Sequence, residues 1–296
     1  MLKQIFISMR PKQWVKNFAV FPAIVFSKHL FDPKYDFFAM TAFFIFCILA
    51  GAIYIFNDIQ DYEKDRLHPD KRKRPIASGA LSIDIAKKVV IYLSIIALGA
   101  ATILAMIFEK VSWKFPVVCL AYLILQWAYS KRLKQVVILD VGCIATGFVF
   151  RVLAGGIVMS LPVSKWLIIC TTLGALFLGF GKRRHEITLL AEEAADHRKI
   201  LEEYSPYFLD QMIAVVTAST VVAYSLYTTD PETIHKLHTQ YLPITIPFVI
   251  YAIFRYLYLV HQKEEGGSPS KLLLADKPLA LSIILWFLTV VAILYF

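Results

Sequence analysis

The sequence predicts an all-α protein that crosses a membrane several times. Of its 296 residues, 58% are hydrophobic and only 18% are charged, and the mean hydropathy is +0.62. The apolar residues come in long runs separated by charged loops, which is the pattern of membrane-spanning helices. Because a bilayer offers the backbone no hydrogen-bond partners, apolar segments of this kind form helices.

Nine apolar runs are candidates for spanning helices, and a basic amphipathic segment at residues 5–16 precedes them. Several runs are shorter than the ~20 residues that a bilayer requires, so their helices must extend into polar flanks. The runs cover residues 18–30, 37–56, 83–108, 115–129, 136–158, 166–180, 212–227, 241–260 and 279–296.

Basic residues are distributed unequally between the loops. With nine spans, 21 of the 31 lysines and arginines lie on the side of the N-terminus and six lie in the opposite loops. Since cytoplasmic loops are the basic ones, we expect a multi-pass protein of the inner (plasma) membrane whose N-terminus and basic loops are cytoplasmic. No basic segment carries the interleaved aromatic residues of a base-stacking surface, so we expect no nucleic-acid partner.

The second apolar run ends in a stripe of carboxylates. If its helix continues, Asn57, Asp58, Asp61 and Asp65 lie within about 100° of one another around the helix axis. Like charges four residues apart weaken a helix, and a divalent cation removes that repulsion. Mg²⁺ takes one or two carboxylates together with substrate phosphates, so the stripe predicts a magnesium site at Asp58, Asp61 and Asp65. The alternative is a charged loop at the membrane surface.

Basic residues at the same membrane face are candidate phosphate ligands, because guanidinium and ammonium groups bind phosphate oxygens. The alternative is that they only anchor and orient the chain. The candidates and their polar neighbours are Lys12, Lys16, Asn17, Arg66, Lys71, Arg72, Arg74, Tyr129, Lys134, Lys182 and Arg183, with Glu186 as a second metal ligand.

The fifth apolar run contains two ionisable residues, Asp140 and Arg151. Ionisable groups at membrane depth usually face an interior cavity. Asp140 lies nearer the cytoplasmic end and is the better candidate for the site, whereas we expect the side chain of Arg151 to extend outward to the membrane surface.

Together these motifs resemble the UbiA-type intramembrane prenyltransferase superfamily, and in particular its decaprenyl-phosphate phosphoribosyltransferase branch. The resemblance covers almost the whole chain. It rests on four motifs: Asn57-Asp58-x-x-Asp61-x-x-x-Asp65-Arg66 with its continuation to Gly79, Arg10-Pro11-Lys12-Gln13-Trp14-Val15-Lys16-Asn17, Tyr129-Ser130-x-x-Leu133-Lys134, and Gly181-Lys182-Arg183-Arg184-x-Glu186.

The resemblance implies one integral-membrane domain over residues 1–296, with about nine helices around a cavity that opens to the cytoplasm and laterally to lipid. It also implies Mg²⁺-dependent transfer of 5-phosphoribose from phosphoribosyl pyrophosphate to a polyprenyl phosphate for a cell-envelope polysaccharide precursor, with the three aspartates as catalytic, metal-binding residues. An oligomer is compatible with this reading.

One departure from the superfamily pattern bears on the donor. Typical members with aromatic acceptors carry a second Asp-x-x-x-Asp motif after the sixth span, where this chain has Lys182-Arg183-Arg184-His185-Glu186. The departure argues against a prenyl diphosphate donor. A prenyltransferase with an aromatic acceptor remains the second reading. A transporter is a third, although transporters usually place their charges near the membrane midplane.

Overall fold

The computed structural model describes residues 1–109, 111–190, 203–263, 272 and 275–296, and these residues form helices and connecting turns without a strand. Short 3₁₀ segments cover Pro11–Val20, Lys71–Lys73, Leu133–Gln135 and Leu242–Thr245. The α-helices, in chain order α1 to α12, are Leu2–Ser8, Pro22–Val25, Pro33–Gln60, Tyr62–Leu67, Ile83–Ile107, Lys114–Lys131, Leu139–Val158, Lys165–Leu190, Pro206–Thr229, Pro231–Leu237, Ile246–Gln262 and Lys277–Tyr295.

Seven helices of the described residues are long and apolar enough to cross a membrane. They correspond to seven of the nine predicted runs. The run 115–129 forms α6, but polar ends limit its apolar length. The run 18–30 does not form one helix: a 3₁₀ segment ends at Val20, and α2 has four residues beginning at Pro22. The all-α membrane fold is therefore confirmed, and the count of nine spans stays a prediction.

Side-chain caps fix where several long helices begin. The side chain of Asp32 accepts a hydrogen bond from Lys34 N at 3.0 Å, and Ser205 accepts one from Phe208 N at 3.1 Å. In both cases a proline follows the cap, where its missing N–H costs nothing. These local signals start α3 and α9 at polar residues and leave the apolar runs intact.

Contacts divide the chain into two compact units. The first contains residues 1–24, 31–143 and 150–163, and in it α3 packs against α5, α6 and the 3₁₀ segment Pro11–Val20. The second contains residues 25–30, 144–149 and 164–296, and in it α8 packs against α9 and α11 against α12. A single domain over the whole chain stays a prediction.

A small apolar core in the first unit brings three distant segments together. Met9, Ile55, Ile76, Leu81 and Ala86 form one buried cluster. Its members are close in sequence to charged residues. Met9 directly precedes Arg10, Ile55 lies three residues before Asp58 of α3, and Ile76 follows Arg74 by two positions. Apolar burial therefore fixes the backbone from which these charged side chains extend.

Gly155 of α7 permits a close approach between two backbones, and this contact gives a stability prediction. A Cβ at Gly155 would lie 2.0 Å from the carbonyl oxygen of Val20, whereas a Cβ at Gly142 of the same helix meets no heavy atom within 4 Å. We expect Gly155→Ala to lower the free energy of unfolding by about 1–3 kcal/mol or more, because backbone must move to relieve the overlap.

Gly142→Ala is the matched control and should leave stability unchanged or slightly raised, since alanine favours a helix over glycine. Thermal unfolding of the two variants in the same detergent measures the difference. Equal melting temperatures would show that α7 does not approach Val20 this closely.

Candidate functional site

The predicted carboxylate stripe lies where α3 gives way to α4. Asp61 ends α3 with φ −98° and ψ 9°. The backbone bonds nevertheless keep the helical spacing, because Asp61 N donates to Asn57 O at 2.9 Å and Asp65 N donates to Asp61 O at 2.8 Å. Asp58 and Asp65, seven residues apart, therefore share one face, and both are buried.

Arg74 connects two of these carboxylates. Its Nη1 atom lies 3.2 Å from Asp58 Oδ1 and 2.5 Å from Asp65 Oδ2. Arg10 forms a second ion pair with the same Oδ1 atom of Asp58. A buried charge is tolerated only when it is paired and hydrogen-bonded, and these two arginines provide such partners for Asp58 and Asp65.

Asp61 has a cation of its own. Lys134 Nζ lies 2.7 Å from Asp61 Oδ1, and the lysine is 9% exposed. The contact joins the 3₁₀ segment Leu133–Gln135 to the end of α3. Lys134 was predicted to point inward as a phosphate ligand. The structure places it inward, on a carboxylate of the stripe.

Sequence reasoning missed Arg10 as part of this cluster. Its backbone is left-handed, with φ 52° and ψ 64°, an uncommon conformation for a residue other than glycine. Its guanidinium also lies over the ring of Tyr54, 5.2 Å from the centroid. The Arg10-Pro11 dipeptide predicts an extended backbone at Arg10, so the left-handed conformation differs from what the local sequence indicates.

Arg151 corrects the prediction that it extends to the membrane surface. It is 6% exposed, and it donates from Nε to Asn17 Oδ1 at 2.7 Å and from Nη2 to Tyr122 Oη at 2.8 Å. The amide of Asn17 also donates to Cys47 Sγ at 3.2 Å. Asn17 thus lies in a buried network in which its amide oxygen holds Arg151, and its substrate contact stays a prediction.

Lys16 lies close to this network and is half-buried. Burial, followed by the positive charges of Arg151 and Arg10, lowers the pKa of Lys16 to about 8. Repulsion from two arginines marks a region of positive potential, and such a region favours an anion.

The other candidates of the first unit differ in burial. Asp140 is fully buried in the first turn of α7, and Tyr129 is half-buried near the end of α6. Arg66 contacts the hydroxyl and ring of its neighbour Tyr62. The exposed candidates are Lys12, Arg66, Lys71 and Arg72.

In the second unit, α8 carries a cluster of charged residues. Glu186 pairs with Arg183, which is 1% exposed, and lies 3.5 Å from Lys182 Nζ. Arg184 pairs with Asp210 at 3.2 Å. The structure thus shows Glu186 bound to cations of its own helix, and its role as a second metal ligand stays a prediction.

The donor chemistry of the first cluster fits magnesium. Among the described residues, no three His, Cys, Asp or Glu side chains form a ready-made metal cage. Mg²⁺ does not require one, since it usually binds one or two carboxylates and completes its shell with water and substrate phosphates. Asp58 and Asp65 meet this requirement because both already approach one cationic nitrogen, Nη1 of Arg74.

Comparisons with known proteins agree with this geometry. The sequence pattern of the UbiA prenyltransferase family matches residues 18–275. A decaprenyl-phosphate phosphoribosyltransferase of Corynebacterium glutamicum is 32% identical over 97% of this chain and 86% of its own length. The same enzyme of Mycolicibacterium smegmatis is 32% identical over 98% and 92%.

Solved structures share the fold. A UbiA homologue from Archaeoglobus fulgidus, bound to GPP and Mg²⁺, superposes with a TM-score of 0.72 at 17% identity, covering 99% of this chain and 100% of that one. A structure concerning digeranylgeranylglyceryl phosphate synthase gives a TM-score of 0.67 at 18% identity, with 99% and 98% covered. Fold, motifs and near-full-length sequence similarity lead to one conclusion: the chain belongs to the UbiA prenyltransferase family.

Proposed function

We propose that this protein transfers a 5-phosphoribosyl group from phosphoribosyl pyrophosphate to a polyprenyl phosphate and releases pyrophosphate. Its relatives are named decaprenyl-phosphate phosphoribosyltransferases. The observation that carries the proposal is the concentration of cations around the stripe. Arg10, Arg74 and Lys134 all contact its aspartates. A prenyl diphosphate presents two phosphoryl groups, both in its pyrophosphate. Phosphoribosyl pyrophosphate and a lipid phosphate together present four phosphoryl groups.

The chain's own residues provide most of what this reaction requires. Asp58 and Asp65, with Asp61 as the third predicted ligand, would hold Mg²⁺, which would neutralise charge on the leaving pyrophosphate. The bond from ribose C1 to the pyrophosphate oxygen breaks, and a phosphate oxygen of the lipid forms the new bond to C1. C1 gains oxocarbenium character, as in glycoside hydrolysis. The lipid phosphate is already an anion, so the mechanism requires no general base.

The proposal places the reaction at the cytoplasmic face of the plasma membrane, with the N-terminus inside. Phosphoribosyl pyrophosphate is water-soluble, and the basic loops that receive it are those that the charge bias assigns to the cytoplasm. The acceptor's hydrocarbon chain would stay in the bilayer. The product is a lipid-linked phosphoribose, which suits a precursor of a cell-envelope polysaccharide.

A donor assay tests the proposed function. Purified protein given phosphoribosyl pyrophosphate, Mg²⁺ and a polyprenyl phosphate should release pyrophosphate and form a lipid-linked phosphoribose, and EDTA should abolish both products. If the protein is inert with this pair but prenylates 4-hydroxybenzoate from a prenyl diphosphate, the second reading of the sequence is correct and the phosphoribosyl reading is wrong.

Lys134 provides a test of phosphate binding. A charge-assisted phosphate contact contributes about 1.5–3 kcal/mol. We therefore expect Lys134→Ala to raise the KM for phosphoribosyl pyrophosphate at least about tenfold. Lys131→Ala is the matched control, because Lys131 is exposed, lies three residues away and contacts the ring of Trp127. An unchanged KM in Lys134→Ala, or an equal rise in both variants, would contradict the assignment.

The lowered pKa of Lys16 gives a pH prediction. Lys16 is charged below about pH 8 and loses its proton as the pH rises through that value. If Lys16 binds a substrate phosphate, kcat/KM should fall by about tenfold or more above pH 8, because one charge-assisted contact is lost. Lys16→Arg should retain activity up to higher pH, since arginine stays protonated.

Lys12→Arg is the control for this profile, because Lys12 is exposed on the same 3₁₀ segment. It should leave the alkaline decline unchanged. A decline of equal size in Lys16→Arg would show that Lys16 does not bind the substrate phosphate.

A further inference from the structure

Arg74 occupies an unusual position between the two buried carboxylates of the stripe. One nitrogen, Nη1, contacts both Asp58 Oδ1 and Asp65 Oδ2, at 3.2 Å and 2.5 Å. The two aspartates are each 3% exposed, whereas the side chain of Arg74 is 29% exposed. The positive charge thus approaches the carboxylate pair from the more accessible side.

A metal ion held by both carboxylates would need the place that this nitrogen fills. Two carboxylates on one helical face repel unless a cation lies between them. Here the cation is the guanidinium of Arg74. Arg10 pairs with Asp58, whereas Arg74 contacts both carboxylates. A divalent cation and a guanidinium repel each other at contact distance, so a metal ion between the two carboxylates would displace the nitrogen of Arg74 that lies there.

The backbone of Arg74 is fixed, and its side chain is the part that can move. Arg74 N donates to Lys71 O at 2.9 Å, and Arg74 O accepts from Ser78 N at 2.8 Å. Ile76, two residues on, is 1% exposed within the apolar core of the unit. A guanidinium displaced from the carboxylates would therefore stay on its anchored stem, close to the stripe.

A displaced guanidinium could bind the pyrophosphate of the donor substrate. Its planar fork binds phosphate oxygens in pairs, and a pyrophosphate held by a metal on Asp58 and Asp65 would lie within reach of Arg74. We propose that Arg74 is a stand-in for the metal in the substrate-free protein, and that it moves from the two carboxylates to the donor's pyrophosphate when metal binds.

The exchange predicts how the ligands bind. A metal ion alone must displace Arg74 without giving it a new partner, and pyrophosphate alone must draw Arg74 away from two carboxylates that are left unneutralised. Together the two ligands give both the carboxylates and Arg74 a partner of opposite charge. Metal and pyrophosphate should therefore bind cooperatively, each raising the affinity for the other by the same factor.

Removing the arginine should uncouple the two ligands. We expect Arg74→Gln to bind Mn²⁺ at least about tenfold more tightly than wild type in the absence of pyrophosphate. The increase in Mn²⁺ affinity that pyrophosphate causes, at matched free Mn²⁺, should be smaller in the variant by a similar factor. Electron paramagnetic resonance of free Mn²⁺ measures both quantities on the full chain in detergent.

Lys73→Gln is the matched control. Lys73 is the neighbouring residue, its side chain is 74% exposed, and it lies 3.9 Å from the exposed Asp70. The variant removes one positive charge from the same segment without touching the buried carboxylates, so its Mn²⁺ affinity and its response to pyrophosphate should equal those of wild type. A Mn²⁺ affinity in Arg74→Gln equal to or weaker than wild type would overturn the proposal.

A measurement on the wild-type protein covers the case in which Arg74→Gln does not fold. Phenylglyoxal modifies accessible arginines, and mass spectrometry locates the modified residue. Saturating Mn²⁺ should increase modification of Arg74 several-fold, and added pyrophosphate should suppress it. Modification of Arg74 that does not respond to Mn²⁺ would show a permanent structural ion pair and would overturn the proposal.

The inference rests on the proposed function only in taking a pyrophosphate as the donor's leaving group. Phosphoribosyl pyrophosphate and a prenyl diphosphate share that group, so the Mn²⁺ and modification experiments keep their meaning under either donor. A failed donor assay with a successful Mn²⁺ result would reject the phosphoribosyl donor and retain the exchange at Arg74.

Discussion

The ion pairs of Arg74 with Asp58 and Asp65 are the interaction on which the first unit's site depends. Two carboxylates on one helical face would repel, and burial would raise the cost of each charge. The guanidinium of Arg74 reduces both the repulsion and the cost of burial. Its position is fixed by apolar burial, because Ile55 and Ile76 of one core carry the backbones next to Asp58 and Arg74. Hydrophobic packing thus positions the charged side chains that form these ion pairs.

Helical spacing and apolar runs in the sequence predicted part of the structure, but they could not predict contacts that depend on tertiary packing. Helical spacing predicted that Asp58 and Asp65 share a face, and apolar runs predicted seven of the membrane helices. Spacing could not predict which cation neutralises the stripe, because Arg10 lies 48 residues before Asp58 and is brought there only by tertiary packing. The like-charge argument pointed to a metal, and the structure shows that arginines also pair with the stripe. Arg151 was expected at the membrane surface but is buried, where it donates hydrogen bonds to Asn17 and Tyr122.

The two units follow the same electrostatic rule. On α8 of the second unit, Glu186 pairs with Arg183 and lies close to Lys182. In the first unit, each aspartate of the stripe has its own basic partner. Within the described residues, the aspartates of the stripe and Glu186 are thus each paired with basic side chains.

The central claim is that the arginine of the stripe changes partners when the ligands bind. Experimental structures of the full chain in a lipid environment, with and without Mg²⁺ and pyrophosphate, test it most directly. The account predicts that Arg74 contacts Asp58 and Asp65 in the ligand-free structure and contacts pyrophosphate oxygens in the complex, with the metal on the carboxylates. An Arg74 that still bridges both aspartates in the complex would contradict it.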